Sequence, residues 1–332
     1  MTRAARPLGL VALVVVLAFV VFFSITQGSR QITLDVIWAA LRGGGEGTDV
    51  TVVRDMRVPR TIIGLTAGIA LGLGGAVLQA ATRNPLADPG IMGINAGAAA
   101  VIVTAVVALG ITALPVLIGF GFVGACLAVA VVFSIASRGR EGATPTKLAL
   151  AGAAVTAGLT SYTSAIVLTR VDALDELRFW QVGSLAGRYA EVMWPTLPVL
   201  VLGSIAALFT GRALNSLAMG DDVAAGLGVD VRRTRGLLFV LVALLCGAAV
   251  AACGPIVFLG LAVPHVARML VGTDYGWVLA YTALLAPIIF LLADVVGRLV
   301  VSPGELQVGV VMGVIGAPAF IALVRYRTVA EL

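Results

Sequence analysis

Apolar residues in this chain come in long runs, not in alternation. The first extends from Leu8 to Ile25, behind Arg3 and Arg6. Others occupy about residues 61–80, 93–110, 112–135, 148–168, 194–210, 237–252, 255–271, 277–296 and 308–324. At 1.5 Å per residue, about 20 helical residues cross the hydrocarbon core of a bilayer. The pattern therefore predicts about ten transmembrane helices, with both ends of the chain on one side. The first run is long for a signal-peptide core, and Thr26-Gln27-Gly28-Ser29-Arg30 is no A-x-A cleavage site, so it reads as a retained helix. Placing both termini in the cytoplasm leaves a modest Lys/Arg excess inside, although many arginines stay outside.

Three connections are too long and too polar to be turns. Residues 26–60 contain Ile32-Thr33-Leu34-Asp35-Val36-Ile37-Trp38, an amphipathic stretch with an interfacial tryptophan, which predicts a helix at the membrane surface. Residues 169–193, on the same external side, carry Asp172, Asp175, Glu176, Arg178, Trp180 and Arg188. Residues 211–236 form the longest cytoplasmic connection and end in Arg232, Arg233 and Arg235. Residues 1–332 read as a single transmembrane domain.

Composition changes the picture only by removing alternatives. Of 332 residues, 60% are hydrophobic and 12% charged, against about 25% charged in soluble domains, and mean hydropathy is +1.08. The fold class is all-α and polytopic. Lys147, the only lysine, follows Thr146, so the lysine of a Walker A loop is missing. His265 is the only histidine, which excludes H-E-x-x-H zinc chemistry. Cys126, Cys246 and Cys253 lie in apolar runs and read as small core residues, not a metal set. The net charge of +5 is spread without a basic cluster, which argues against nucleic acid as a partner. No acid falls in the middle of a span, where a cation-coupled carrier would place one. Asp294 and Arg298, at i and i+4 near the outer end of their helix, predict a local ion pair.

Glycine repeats at four-residue spacing in Gly64/Gly68/Gly72, Gly93/Gly97 and Gly309/Gly313, as close packing of membrane helices requires. Gly74-Gly75-Ala76-Val77 and Gly247-Ala248-Ala249-Val250 each precede a proline-broken segment. An inverted repeat of the transporter kind is one reading; chance recurrence in an Ala/Gly/Val-rich chain is the other. Gln79 and Asn95 read as interhelical hydrogen-bond partners.

Several motifs in order resemble the FecCD-type permeases, membrane subunits of bacterial ABC importers for ferric siderophores, haem and cobalamin. They are Arg57-Val58-Pro59-Arg60-Thr61, Gly74 to Gln79, Thr82-Arg83-Asn84-Pro85-Leu86-Ala87-Asp88-Pro89-Gly90, Gly93-Ile94-Asn95-Ala96-Gly97, Leu217-Ala218-Met219-Gly220, Ala225-Gly226-Leu227-Gly228-Val229, Gly254 to Leu261, Pro264-His265, Ala293-Asp294 and Gly316-Ala317-Pro318-Ala319-Phe320. They cover essentially the whole chain after the first helix.

The resemblance implies a cobalamin-importer-like permease fold in the bacterial cytoplasmic membrane, moving a ferric siderophore, with haem or cobalamin as the alternative cargo. It implies a second, related permease (a heterodimer more than a homodimer), an external binding protein, and two cytoplasmic ATPases. ATP and Mg would sit on those ATPases, and no cofactor on this chain. By the same resemblance Arg57, Arg60 and Arg298 dock the binding protein. The region of Leu214, Leu217, Met219, Gly220, Asp221, Asp222, Ala225, Gly226, Leu227 and Gly228 couples to the ATPases, with Leu214, Leu217 and Met219 on one apolar face and Gly220-Asp221-Asp222 starting a helix. Thr144, Pro145 and Thr146 match the cytoplasmic gate, although a helix N-cap explains them equally well. Ser161 and Ser164 of the same helix would touch cargo or satisfy backbone. From another class, a cation-coupled secondary carrier is the rival function, and a membrane enzyme comes third.

Overall fold

The computed structural model describes residues 5–28, 30–138, 143–170, 177–178, 180–301 and 304–325. Asp172, Asp175 and Glu176, and both extreme ends of the chain, lie outside these residues. All regular structure among the described residues is helical. Helix α1 (Ala5–Thr26) is followed by the short α2 (Leu34–Leu41). Then α3 (Thr48–Thr51) runs through a π-helical turn (Val52–Arg57) into α4 (Val58–Thr82). A 3-10 turn (Pro89–Met92) leads to α5 (Ile94–Leu109), α6 (Leu114–Ala136) and α7 (Pro145–Val167). After these come α8 (Ala190–Leu208), α9 (Gly211–Ala218), α10 (Asp221–Gly226) and α11 (Val231–Cys253). The last three are α12 (Leu259–Val271), α13 (Tyr275–Val300) and α14 (Val308–Arg325).

Each of the ten predicted runs falls on a helix. Among the described residues seven helices are long and apolar enough to cross a membrane: α1, the continuous 48–82 helix, α6, α7, α8, α11 and α13. The apolar helices α5, α12 and α14 are shorter. The run predicted from 255 starts as a helix only at Leu259, because Gly254 (φ 76°) and Phe258 (φ 66°) both take left-handed backbone and Pro255 cannot donate to a helix. The predicted surface helix is α2. It buries Ile37 and Ala40 against Val50 and Val53, leaves Trp38 exposed, and stacks the Arg42 guanidinium 4.9 Å from the Trp38 ring centroid.

Helix α4 is the axis of the bundle, and its small residues explain why. Its Gly64/Gly68/Gly72 face lies on α13: a methyl group at Gly68 would come 2.8 Å from Pro287 Cα. Its other side meets α11 and α12, where a methyl at Gly75 would run into the Gly260 carbonyl oxygen. Lipid gives helices no hydrophobic reason to associate, so this backbone-to-backbone contact is what packs them. Gly97 of α5 and Gly124 of α6 approach each other's carbonyls in the same way. Gly309 meets the Val182 carbonyl, but Gly313 meets nothing, so that pair does not act as one packing face. Cys246 and Cys253 are buried in the core, Cys126 is half-buried, and all three are free. Gln79 ties α4 to α12, donating to the Leu261 carbonyl at 3.1 Å and accepting from Arg268 at 2.6 Å.

Candidate functional site

Most of the candidate side chains gather at the two ends of the bundle. At the end where α1 stops and α4 begins, two arginines serve the last carbonyls of α1, which no helical N–H can reach. Arg57, last residue of the π-helical turn and 5% exposed, donates to the carbonyls of Ile25 (3.0 Å), Thr26 (2.7 Å) and Arg30. Arg298 of α13, 2% exposed, donates to the carbonyls of Ser24 (2.9 Å) and Gln27 (2.7 Å) and to the Ser24 hydroxyl (3.0 Å).

The predicted pair between Asp294 and Arg298 is present at 3.0 Å, but it is half of a larger unit. Asp294 also accepts from Arg60 of α4 at 2.8 Å, and Arg60 reaches Glu305 at 2.8 Å. Asp294 is 1% exposed, so its carboxylate is held between two guanidiniums away from water. Local spacing shows Arg298; Arg60 lies 234 positions from Asp294 and is brought there only by the packing of α4 on α13. Arg57, Arg60 and Arg298 line one cavity of about 280 Å³, together with Arg30, Arg188 and Glu305. Sequence reasoning left out Glu305 and the Ser24 and Gln27 carbonyls. No periodicity marks them, since two of the three contacts are backbone.

At the opposite end, residues 211–236 fold as the short helices α9 and α10 ahead of α11. Gly220, at φ 106°, allows the sharp change of direction between them. Asp221 and Asp222 occupy the first turn of α10, as the Gly220-Asp221-Asp222 motif predicts. Asp221 is fastened to the bundle by Arg235 (2.9 Å) and Arg83 (3.2 Å). The apolar face expected from Leu214, Leu217 and Met219 divides: Leu214 and Leu217 are fully buried in the core, whereas Met219 is exposed with Val223 and Leu227. Ala225, Gly226 and Gly228 lie on the exposed side with them. Asn215 of α9 holds the start of α13, donating to Asp274 at 3.0 Å and accepting from the Tyr275 N–H at 2.9 Å. The bonds from Asn215 and from the Gly276 N–H keep the Asp274 carboxyl below its ordinary pKa.

Helix α7 starts where the Thr144-Pro145-Thr146 motif predicts. Thr144 is the N-cap, its hydroxyl accepting from the Lys147 N–H at 3.3 Å, and Pro145 is the first helical residue. Most of α7 is exposed, and apart from Leu150 and Tyr162 that surface is largely small or weakly polar, with Ala153, Ala154, Ala157, Gly158, Ser161, Ser164 and Ala165 on it. Ser164, Thr156, Thr160 and Thr163 line a cleft of about 410 Å³ with Asn95, Gln181 and Trp180. Asn95 thus faces a cleft, where a helix-bridging role was expected. Ser161 lies outside the cleft, and the Tyr162 hydroxyl meets that of Thr104 at 2.9 Å.

Residues 16–326 match the model of the FecCD transport family. The chain is 44% identical over 328 residues to the ferric enterobactin transport system permease protein of Escherichia coli (strain K12), covering 98% of this chain and 97% of that protein. It is 37% identical over 310 residues to an iron(3+)-hydroxamate import system permease protein of Bacillus subtilis (strain 168), covering 92% and 79% respectively. Among solved structures it is similar to one described as the inward-facing conformation of an ABC transporter assigned to the metal-chelate type. There the TM-score is 0.84 at 28% identity, covering 97% of this chain and all of that one.

Proposed function

The chain belongs to the FecCD transport family, and from that premise we propose that it is the permease subunit of an ATP-driven importer carrying a ferric siderophore across the bacterial cytoplasmic membrane. What carries the reading is similarity to a ferric enterobactin permease over 98% of this chain and 97% of that protein. Haem or cobalamin remains the alternative cargo within the family.

The three shorter helices α5, α12 and α14 complete ten spans, and the Gly-rich ends of α4 and α11 are read as an inverted repeat. The Arg57 end faces outward, and both termini face the cytoplasm. ATP and Mg are handled by two separate ATPase subunits. They seat on the α9–α10 unit, whose exposed Met219, Val223 and Leu227 supply apolar contact while the Asp221 pairs with Arg83 and Arg235 carry motion into the bundle. An external binding protein docks on the arginine end. Because Arg57 and Arg298 are committed to carbonyls, the direct contact there falls to Arg60, whose Glu305 partner an incoming acid would displace. The small-residue face of α7 meets a second, related permease across the pathway, with Thr144, Pro145 and Thr146 at its cytoplasmic mouth.

The test is affinity purification of the chain from its native membrane in mild detergent, followed by mass spectrometry. The expected result is a Walker-A ATPase and a second permease. Uptake of a ferric siderophore by the same cells should stop on ATP depletion and survive an uncoupler. Recovery of the chain alone, with uptake abolished by the uncoupler while ATP is held constant, would favour a cation-coupled carrier.

A further inference from the structure

One cation at the Arg57 end has no counter-charge among the described residues. Arg188 lies in the loop between α7 and α8, is only 7% exposed, and lines the cavity of about 280 Å³. Its one hydrogen bond among the described residues runs from Nε to the Ser184 carbonyl at 3.5 Å, the weak limit of such a bond. Neither Nη group has a partner among the described residues. The other four arginines around the cavity are committed: Arg57 and Arg298 to the end of α1, Arg60 to Asp294 and Glu305, and Arg30 to Asp49 at 2.8 Å.

The position of Arg188 is fixed by its loop. The Ser184 N–H donates to the Cys253 carbonyl at 2.7 Å, and the Ala186 N–H to the Ser184 hydroxyl at 3.0 Å. The Gly183 carbonyl accepts from Gly309 at 2.9 Å, and Leu185 is fully buried. A guanidinium removed from water without an acid is costly, and burial lowers the Arg188 pKa accordingly. Such a group, in a cavity already rich in arginine, attracts an anion, and a planar fork of N–H donors matches two oxygens on one atom. The cavity is smaller than the ~300–1,000 Å³ typical of pockets for drug-sized ligands, so the anionic group is small.

We propose that this cavity is a carboxylate-type oxyanion site, in which the free Nη edge of Arg188 holds the anion in a two-point contact. A free-anion site needs only the cavity, whereas a carboxylate from a docked protein rests on the proposed transport reading. The anion comes either from free carboxylate in solution or from an acidic side chain of a protein seated on this end.

The test uses the purified, intact complex in nanodiscs. Its melting temperature is followed against sodium acetate, with sodium chloride at matched ionic strength as the control, for the wild type, R188Q and R188K. In chloride, R188Q should be at least as stable as the wild type, since it removes an unpaired buried charge. A saturable rise with acetate, lost in R188Q and weakened in R188K, establishes a free-anion site. No rise with acetate, but loss of affinity for the external binding protein in R188Q that R188K partly restores, assigns the carboxylate to the docked protein. If acetate has no specific effect and R188Q binds that protein as the wild type does, the proposal is wrong, and ATP-driven uptake by the same complex would show the transport reading unharmed. If R188Q fails to assemble, R188K decides alone by the same two readouts.

Discussion

A carboxylate held between two guanidiniums inside a helical bundle is stable only while its partners remain. Asp294→Asn would leave Arg60 and Arg298 facing a neutral group, and breaking a buried pair in this way costs about 3–5 kcal/mol. The expected outcome is a clear fall in melting temperature in detergent, larger than that for Glu305→Gln, because Glu305 is partly exposed. Asp274 illustrates the opposite, water-facing case. Its folded-state pKa is depressed by Asn215 and the Gly276 N–H, so its contribution is present above the unfolded pKa and is lost as pH falls through the folded one. Asp274→Asn should therefore lower stability at neutral pH and flatten the acid limb of the profile below about pH 4, so that variant and wild type converge in acid. A titration of melting temperature against pH would check this.

At the scale of the element, glycine spacing decides how closely helices can approach. Gly75 of α4 lies against the Gly260 carbonyl of α12, and backbone cannot yield as a side-chain tip can. Gly75→Ala should destabilise by at least the ~1–3 kcal/mol typical of overpacking and push α12 away from α4, weakening the Gln79 bonds. Gly119→Ala on α6, where an added methyl meets nothing, should be neutral or slightly stabilising through helix propensity. Comparing the thermal stability of the two variants separates packing from propensity. The π-helical turn before α4 belongs to the same scale, since it is the segment that delivers Arg57 to the end of α1.

At the scale of the molecule, the two ends are linked by helices that run between them. Helix α13 carries Asp294 and Arg298 near one end and is capped by Asp274, held to α9, at the other. On the proposed reading, the α9–α10 unit separates fold from function within a few residues. Leu214→Ala, in the core, should cost about 2–5 kcal/mol whatever partner is present. Leu227→Asp, at an exposed position, should leave the melting temperature unchanged yet prevent the ATPase from co-purifying. If the ATPase still co-purifies with Leu227→Asp, the seating surface lies elsewhere.

Element type and the broad architecture were legible without coordinates. A run of about 20 apolar residues satisfies its backbone in lipid by folding as a helix, so hydropathy alone predicted where the apolar helices among the described residues lie. Local chemistry was legible too. The Thr144-Pro145 cap, the helix start at Gly220-Asp221-Asp222 and the pair between Asp294 and Arg298 all depend on residues within one turn of each other. Tertiary packing decided everything that joins distant segments. It set Arg60 on Asp294, folded Arg57 and Arg298 inward onto carbonyls, and turned Leu217 and Met219 to opposite environments. It also left Arg188 buried with no acid partner among the described residues. An arginine's sequence neighbours state that it is charged; whether that charge is committed to a helix end, shared with a carboxylate or left free depends on which backbones come within 3 Å of it, and that follows from glycine contacts between helices far apart in the chain.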